Sequence, residues 1–428
     1  MHIKLKKQIN RYFNYFLRTL NNSGRKIKQI ILNTNDNLKL DYLSWFLNRH
    51  ENYINDFVKI SNENYTKNEC DPKIISFYLP QFYENETNNK YFGKGFMEWY
   101  NVTKAIPQFT GHYQPQLPID VGFYNLSHDD IMYRQIELAK KYGIYGFCFY
   151  YYWFSGETLL EKPILNFLNN KELNFPFCLM WTNETWTSIW GDGNHRNIIK
   201  KQELLTGDDD KFVKDILKYI QDKRYIKVKD KPLLIIYQSK FFDEDEFNTF
   251  LNNIKAKIKE LTGVDIYILT TNSGIEEQIN TQIEGVIEFS HQNLPIQKYQ
   301  SNMTGKYINP NFKGKVVDIK RAISNKLHII NNKYKTFKCL YPGWDNTPRK
   351  AYALNGCYVF DMGPKEYKQW LLDLIKWTKN QHLKEEQYIY VNAWNEWAEG
   401  AHLEPDQHYG YAYLQATKEA LEESRENN

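Results

Sequence analysis

No stretch of this 428-residue chain runs eighteen apolar residues unbroken, so no membrane-spanning helix is expected. The first twenty residues also lack an apolar core with a small-residue cleavage site, and no secretory signal is read there. Cysteine is scarce. Cys70, Cys148, Cys178, Cys339 and Cys357 are odd in number, show no CxxC spacing, and read as buried free thiols of a reducing compartment. His112, His291 and His402 stand apart, without the HxH or HxxxH spacing of a zinc site. No glycine-rich turn follows a strand-like run, which argues against a dinucleotide-binding sheet. A metal-dependent nucleotide-sugar transferase should carry DxD after a strand. Here Asp208/Asp210 and Asp243/Asp245 fall at helix starts, where acids serve the helix dipole. Neither a metal nor a cofactor is expected, and the protein is read as cytoplasmic.

Acidic residues are missing from positions 1–35, which hold eight Lys and Arg; taking these from the net charge of +4 leaves −4 for the rest. A mildly acidic body excludes nucleic acid as the substrate class. Residues 1–22 put Ile3, Leu5, Ile9, Phe13, Phe16, Leu17 and Leu20 on one side of a helix, with Lys4, Lys7, Arg11 and Arg18 largely elsewhere. Such a face suits an anionic membrane surface or a neighbouring helix at about residues 38–60. Residues 1–70 are therefore read as a basic helical extension, and residues 71–428 as the working domain.

From about Asp71 apolar runs alternate with helical stretches. Eight strands are expected: Ile74–Leu79, Tyr145–Tyr150, Phe177–Trp181, Leu233–Tyr237, Ile266–Thr270, Gly285–Phe289, Phe337–Tyr341 and Tyr388–Val391. Helices are expected over Ser127–Tyr142, Leu159–Leu168, Asp208–Ile220, Glu244–Leu261, Val317–Ile330, Pro364–Lys379 and Tyr409–Leu421. Continuous apolar strands between helices mean a parallel sheet covered on both faces, and eight of them predict a (β/α)8 barrel with insertions.

A barrel puts its chemistry just after strand C-termini. Polar-aromatic clusters stand there: Tyr78 near the end of the first strand and Gln81 after it, with Glu98, Trp99, His112 and Gln114 in the insertion that follows; Tyr151 and Trp153 after the second; Trp181 ending the third, with Asn183, Glu184 and Trp186 after it; Glu288 at the sixth; and Trp344, Asp345 and Asn346 after the seventh. The eighth leads into Trp394, Asn395, Glu396, Trp397, Glu399, His402 and Glu404. Chemistry at an anomeric carbon needs two carboxyl groups, one protonated and one ionised, with flat faces to hold the ring. Glu396 and Glu399 supply the pair, and Trp394 and Trp397 are the favoured faces. For Glu98, Glu184, Glu288 and Asp345 the competing reading is a buried structural acid, and for the other tryptophans it is core packing.

Six ordered motifs carry a resemblance: YLPQF (Tyr78–Phe82), GKGFMEW (Gly93–Trp99) with Asn101 and Val102, GHYQPQLP (Gly111–Pro118), GIYGFCFYYYWFSG (Gly143–Gly156), PGWDN (Pro342–Asn346) and WNEWAEGAHLEP (Trp394–Pro405). Together they resemble the WbsX-type family of glycosyltransferases, found in polysaccharide and O-antigen gene clusters and related to glycoside hydrolase family 99. The resemblance implies that Glu396 is a base helping the substrate's own 2-hydroxyl to attack C1, giving a 1,2-anhydro sugar with retention, and that Glu399 protonates the leaving oxygen. Glu399 should then have a raised pKa. Relatives carry paired arginines where this chain has Ser188 and Ile189, often His at Tyr83, and in the hydrolases His at Ala398. The implied partner is an oligo- or polysaccharide, either free or lipid-linked. Three functions stand: glycosyl transfer, retaining endo-hydrolysis, and glycan binding by a non-catalytic barrel.

Overall fold

The computed structural model describes residues 56–188, 197–271, 280–289, 296–302, 307–329, 332–349 and 356–426. The amphipathic helix of residues 1–22, with its membrane contact, and His291 lie outside these residues.

Eight parallel strands form the central sheet: β1 Lys73–Tyr78, β2 Ile144–Phe154, β3 Phe177–Trp181, β4 Lys231–Ile236, β5 Tyr267–Thr271, β6 Gly285–Ile287, β7 Thr336–Leu340 and β8 Tyr388–Val391. Each pairs with its neighbour in sequence, and β1 pairs with both β2 and β8, so the sheet closes into a barrel. All eight expected strands are present. They read as unbroken apolar runs because helices cover the outer face while side chains fill the axis. The helices are α1 Glu86–Phe92, α2 Trp99–Thr103, α3 Asp130–Lys141, α4 Lys162–Asn169, α5 Asp208–Ile220, α6 Glu244–Thr262, α7 Ile319–Ser324, α8 Pro364–Gln381 and α9 Ala412–Glu426.

Four helix starts differ from the reading, among them α9, which begins at Ala412 and not Tyr409. Ser127 is not a cap, since α3 begins after Asp129. Glu157–Leu159 turns back as a strand on the overhanging end of β2, so α4 starts later, with Pro163 in its first turn. Lys315–Asp318 pairs with Tyr358–Asp361, and the Asp318 side chain then accepts from Arg321 N at 3.0 Å to start a shorter α7.

Alternation along β2 decides which side chains reach the axis. Phe149 packs on Phe167 of α4, and Tyr151 and Trp153 pack on Tyr219 and Phe212 of α5. The odd positions thus face the helices. Tyr150 meets Phe77, which also packs on Tyr390 and Phe289 in the axis. Cys148, Cys178, Cys339 and Cys357 are buried free thiols, whereas Cys70 is exposed, because it sits in the turn leading into β1.

Residues 58–71 run down the outside of the barrel beside α9. Val58 pairs with Gly410, Tyr65 N donates to Lys141 O at 2.8 Å, and Arg425 grips Asp71 at 2.6 Å.

Candidate active site

The loop after β8 folds as a miniature hairpin, Asn395–Glu396 against Ala401–His402, with Trp397–Glu399 as its turn. Gly400 closes the turn at φ 58°, and a Cβ there would lie 2.9 Å from Cβ of Asp345, so glycine is required twice over. Asn395 locks the loop to β1, accepting from Leu79 N at 2.7 Å and donating to Leu79 O at 3.0 Å. Asp345 N donates to Glu399 O at 2.5 Å, which joins the loops after β7 and β8. The Asp345 carboxylate contacts His112 Nε2 at 2.6 Å and accepts from Gln114 at 2.5 Å and from the Thr347 hydroxyl at 2.6 Å. Those bonds fix the short turn Thr347–Arg349.

Arg349 is the centre of the site. Its Nη2 lies 2.8 Å from Glu396 Oε2 and 2.9 Å from Glu98 Oε1, and its Nη1 lies 3.5 Å from Glu399 Oε1. The Glu98 contact is charge against charge and lacks hydrogen-bond alignment. Three carboxylates thus surround one guanidinium at the C-terminal mouth of the barrel. Glu396 is the deeper of the pair, its side chain 6% exposed against 15% for Glu399. Burial pushes the Glu396 carboxyl well above the usual range; Arg349 pulls it back, and Glu399 and Glu98 push it up again. Glu184, mostly buried at the mouth, is raised to about 7 by burial and by the Glu399 charge. Excess negative charge in a dry pocket holds a proton at neutral pH. That is what an acid–base carboxyl pair requires.

The family model described as "Glycosyltransferase WbsX" matches residues 74–417. The chain belongs to the WbsX glycosyltransferase family. A curated relative from Xanthomonas campestris pv. campestris, "Uncharacterized protein WxcX", is 35% identical over 355 residues, covering 81% of this chain and 49% of the relative. This chain therefore spans about half the length of that relative. A solved structure titled "Glycoside hydrolase-like protein" shares the fold at TM-score 0.53 and 13% identity, over 86% of this chain and 98% of its own. A GH99 endo-alpha-mannosidase from Bacteroides thetaiotaomicron matches at TM-score 0.48 and 14% identity, over 84% of this chain and 99% of its own.

In this WbsX member Glu98, Glu396 and Glu399 come together on Arg349, and Trp186 stacks at 5.9 Å on Tyr152, which accepts from Gln81 at 3.1 Å. Trp99 packs at 5.6 Å on Trp397 beneath the mouth, its Nε1 donating to Tyr124 O. Asp345, with His112 and Gln114, works as the brace just described. Asn346 accepts from Tyr358 N at 3.0 Å and holds its own loop.

Trp394 and Trp397 were expected as sugar platforms, but both are 0% exposed. Their indole N–H groups donate to Glu404 at 3.1 and 2.7 Å, and Gln135 and Tyr124 donate to the same carboxylate at 2.6 and 2.8 Å. Tyr78 joins this knot through Gln135, and His402 stacks on Trp397 at 3.7 Å. Tyr151, Trp153 and Trp181 face α5 and α6 and are 2% exposed or less. Asn183 ties the ends of β3 and β4 through Gln238 at 2.7 and 2.8 Å. Glu288 pairs with the buried Lys338 at 2.9 Å, and Lys338 lies over Trp377 of α8, so this acid serves the outer layer and leaves the mouth.

Sequence reasoning missed Arg349, Tyr150 and Tyr152. Arg349 stands three residues past the PGWDN motif, and an arginine in a strand-end loop rich in acids was the available signal. The tyrosines needed the parity of β2. Among the described residues no group of three or more His, Cys, Asp or Glu is arranged to hold a metal, and no helix is long and apolar enough to cross a membrane.

Proposed function

We propose that this WbsX member is a carbohydrate-active enzyme of cell-surface polysaccharide biosynthesis that forms glycosidic bonds through the Glu396/Glu399 pair, with retention. The observation that carries this reading is the set of three carboxylates sharing Arg349 at the barrel mouth. A retaining reaction needs one carboxyl to protonate the leaving oxygen and an ionised partner to drive attack at C1. A site with more acids than cations holds both states together.

The two glutamates divide the work unequally. The family resemblance gives the acid role to Glu399, the more exposed of the two. Burial raises the Glu396 carboxyl well above the usual carboxylate range. When substrate displaces water, the proton must stand on whichever carboxyl faces the leaving oxygen. Aryl glycosides test this directly: the acid variant keeps turnover on leaving groups that need no protonation, and the base variant loses it on all of them.

Hydrolysis uses the same pair and differs only in whether water or a sugar hydroxyl meets the activated C1. The deciding experiment follows lipid-linked and free glycans of the producing cell by mass spectrometry, with wild type, Glu396→Gln and Glu399→Gln, with and without acceptor sugar. Lengthened products lost in both variants establish transfer, and shortened products lost in both establish hydrolysis. Turnover surviving both substitutions sinks this site.

A further inference from the structure

Behind the loop that carries Glu399 lies a cavity of about 350 Å³, which neither Glu396 nor Glu399 lines. Asp345 and Gly400 form one wall, the turn Asp406–Tyr409 another, and Thr110 stands at the exposed rim. Its volume falls in the range of small-molecule sites, roughly 300–1,000 Å³. No reaction described above uses it.

The lining selects a chemistry. Trp344 and Tyr409 contribute aromatic surface, and Tyr113 packs at a tilt on His408 at 4.3 Å. Asp345, Asp361 and Asp406 are the charged groups; among the described residues no Lys or Arg lines the cavity. Phosphates, nucleotides and sugar acids have no guanidinium or ammonium to meet there. Burial pushes His402 and His408 down to about 4, so at neutral pH both rings are uncharged.

Asp406 is the built element. It is 4% exposed, and its Oδ1 accepts from the amides of His408 at 2.7 Å and Tyr409 at 2.6 Å, which fixes the turn. Its Oδ2 lies 3.8 Å from His402 Nε2, beyond hydrogen-bond reach, and no donor of the described residues meets it. That oxygen is open to a donor placed in the cavity. Sugar hydroxyls are such donors, and their C–H faces lie against aromatic rings.

We propose that this cavity is a second carbohydrate site, which holds one neutral, polyhydroxylated ring of a glycan apart from the ring undergoing chemistry. The inference rests on the glycan reading above and adds an anchor to it: a chain held here is tethered beside the wall whose Asp345 N–H binds Glu399 O.

The test uses the full chain carrying Glu396→Gln, so that nothing is turned over. Saturation-transfer NMR and calorimetry are run with the methyl glycosides of glucose, galactose and mannose, with glucuronate, with inorganic phosphate and with calcium. Binding of a neutral glycoside that weakens tenfold or more with added Thr110→Trp, a plug at the exposed rim, and with added Asp406→Asn supports the site. In the otherwise wild-type enzyme Thr110→Trp should raise KM for long glycans severalfold and leave short substrates unchanged. Neutral-sugar binding indifferent to both substitutions overturns the proposal, as does preferential binding of phosphate or calcium. The two readings fail separately: loss of the cavity site leaves the Glu396→Gln and Glu399→Gln turnover defects in place, whereas normal turnover in those variants removes the enzyme reading itself.

Discussion

Two buried carboxylate clusters grow from the same short loop and are opposites. Around Arg349 three carboxylates share one cation, so at least one cannot ionise cheaply. Around Glu404 one carboxylate receives four donors, two on each oxygen. The first is electrostatically unfinished and opens on the barrel mouth. The second is complete and closed in the core. Unbalanced acids are expensive to keep in a fold, which makes the first cluster the candidate for chemistry; the second, whose Glu404 burial still raises to about 7, holds the loop through its four bonds.

The comparison breaks most visibly by neutralising each cluster in turn. Glu396→Gln and Glu399→Gln should each lower turnover by about 10²–10⁴-fold, the usual worth of a general acid or base, while thermal stability holds or rises as repulsion is relieved. Glu404→Ala should reverse that pattern. It strands four buried donors, and a loss of about 3–5 kcal/mol is expected in denaturant unfolding, with turnover falling only as the folded fraction falls. If Glu404→Ala unfolds at the wild-type midpoint, the knot is not structural.

A third substitution sharpens the contrast through pH. Without the Arg349 charge, the carboxyls it stabilises as anions must titrate higher, so Arg349→Gln should move the acidic limb of the pH–rate profile upward by about 1–2 units. An unmoved limb would mean that the guanidinium does not tune the pair. The mouth also has a stability signature. Glu184 titrates at about 7 in the folded chain, above its unfolded value, so between about pH 4.5 and 7 the folded state holds more protons and stability falls as pH rises. Glu184→Gln should therefore be more stable than wild type at pH 8 and equal to it at pH 4.

The smallest effects test which side of β2 faces the mouth. Tyr152→Phe removes a hydroxyl that accepts from Gln81, and turnover should fall about tenfold with little change in folding. Tyr151→Phe removes a buried hydroxyl that no described residue meets; it should leave turnover unchanged and stabilise the fold by about 1 kcal/mol.

These neighbouring tyrosines also show where the sequence stopped being legible. The eight strands could be read because each is a short apolar run closed by polar residues, and the catalytic end followed from the barrel rule. What one sequence withholds is the facing of each side chain. Within FYYYWF both parities look alike, and only packing of Tyr151 and Trp153 on α5 separates them from Tyr150 and Tyr152. Trp394 and Trp397 failed as platforms for a related reason: their ring nitrogens are spent on Glu404, a bond invisible until the loop folds. Glu288 looked like a mouth acid until Lys338, fifty positions on, claimed it from the next strand. Arg349 was overlooked because its partners lie far away in sequence, at Glu98 and Glu396.

The pairing of Val58 with Gly410 fixes where the described chain begins. Because α9 starts at the barrel mouth and runs back along the strands, Gly410 stands at the mouth end, and residue 58 lies beside it. The described residues thus start at the rim that opens on Arg349, on the same side of the molecule as the three carboxylates.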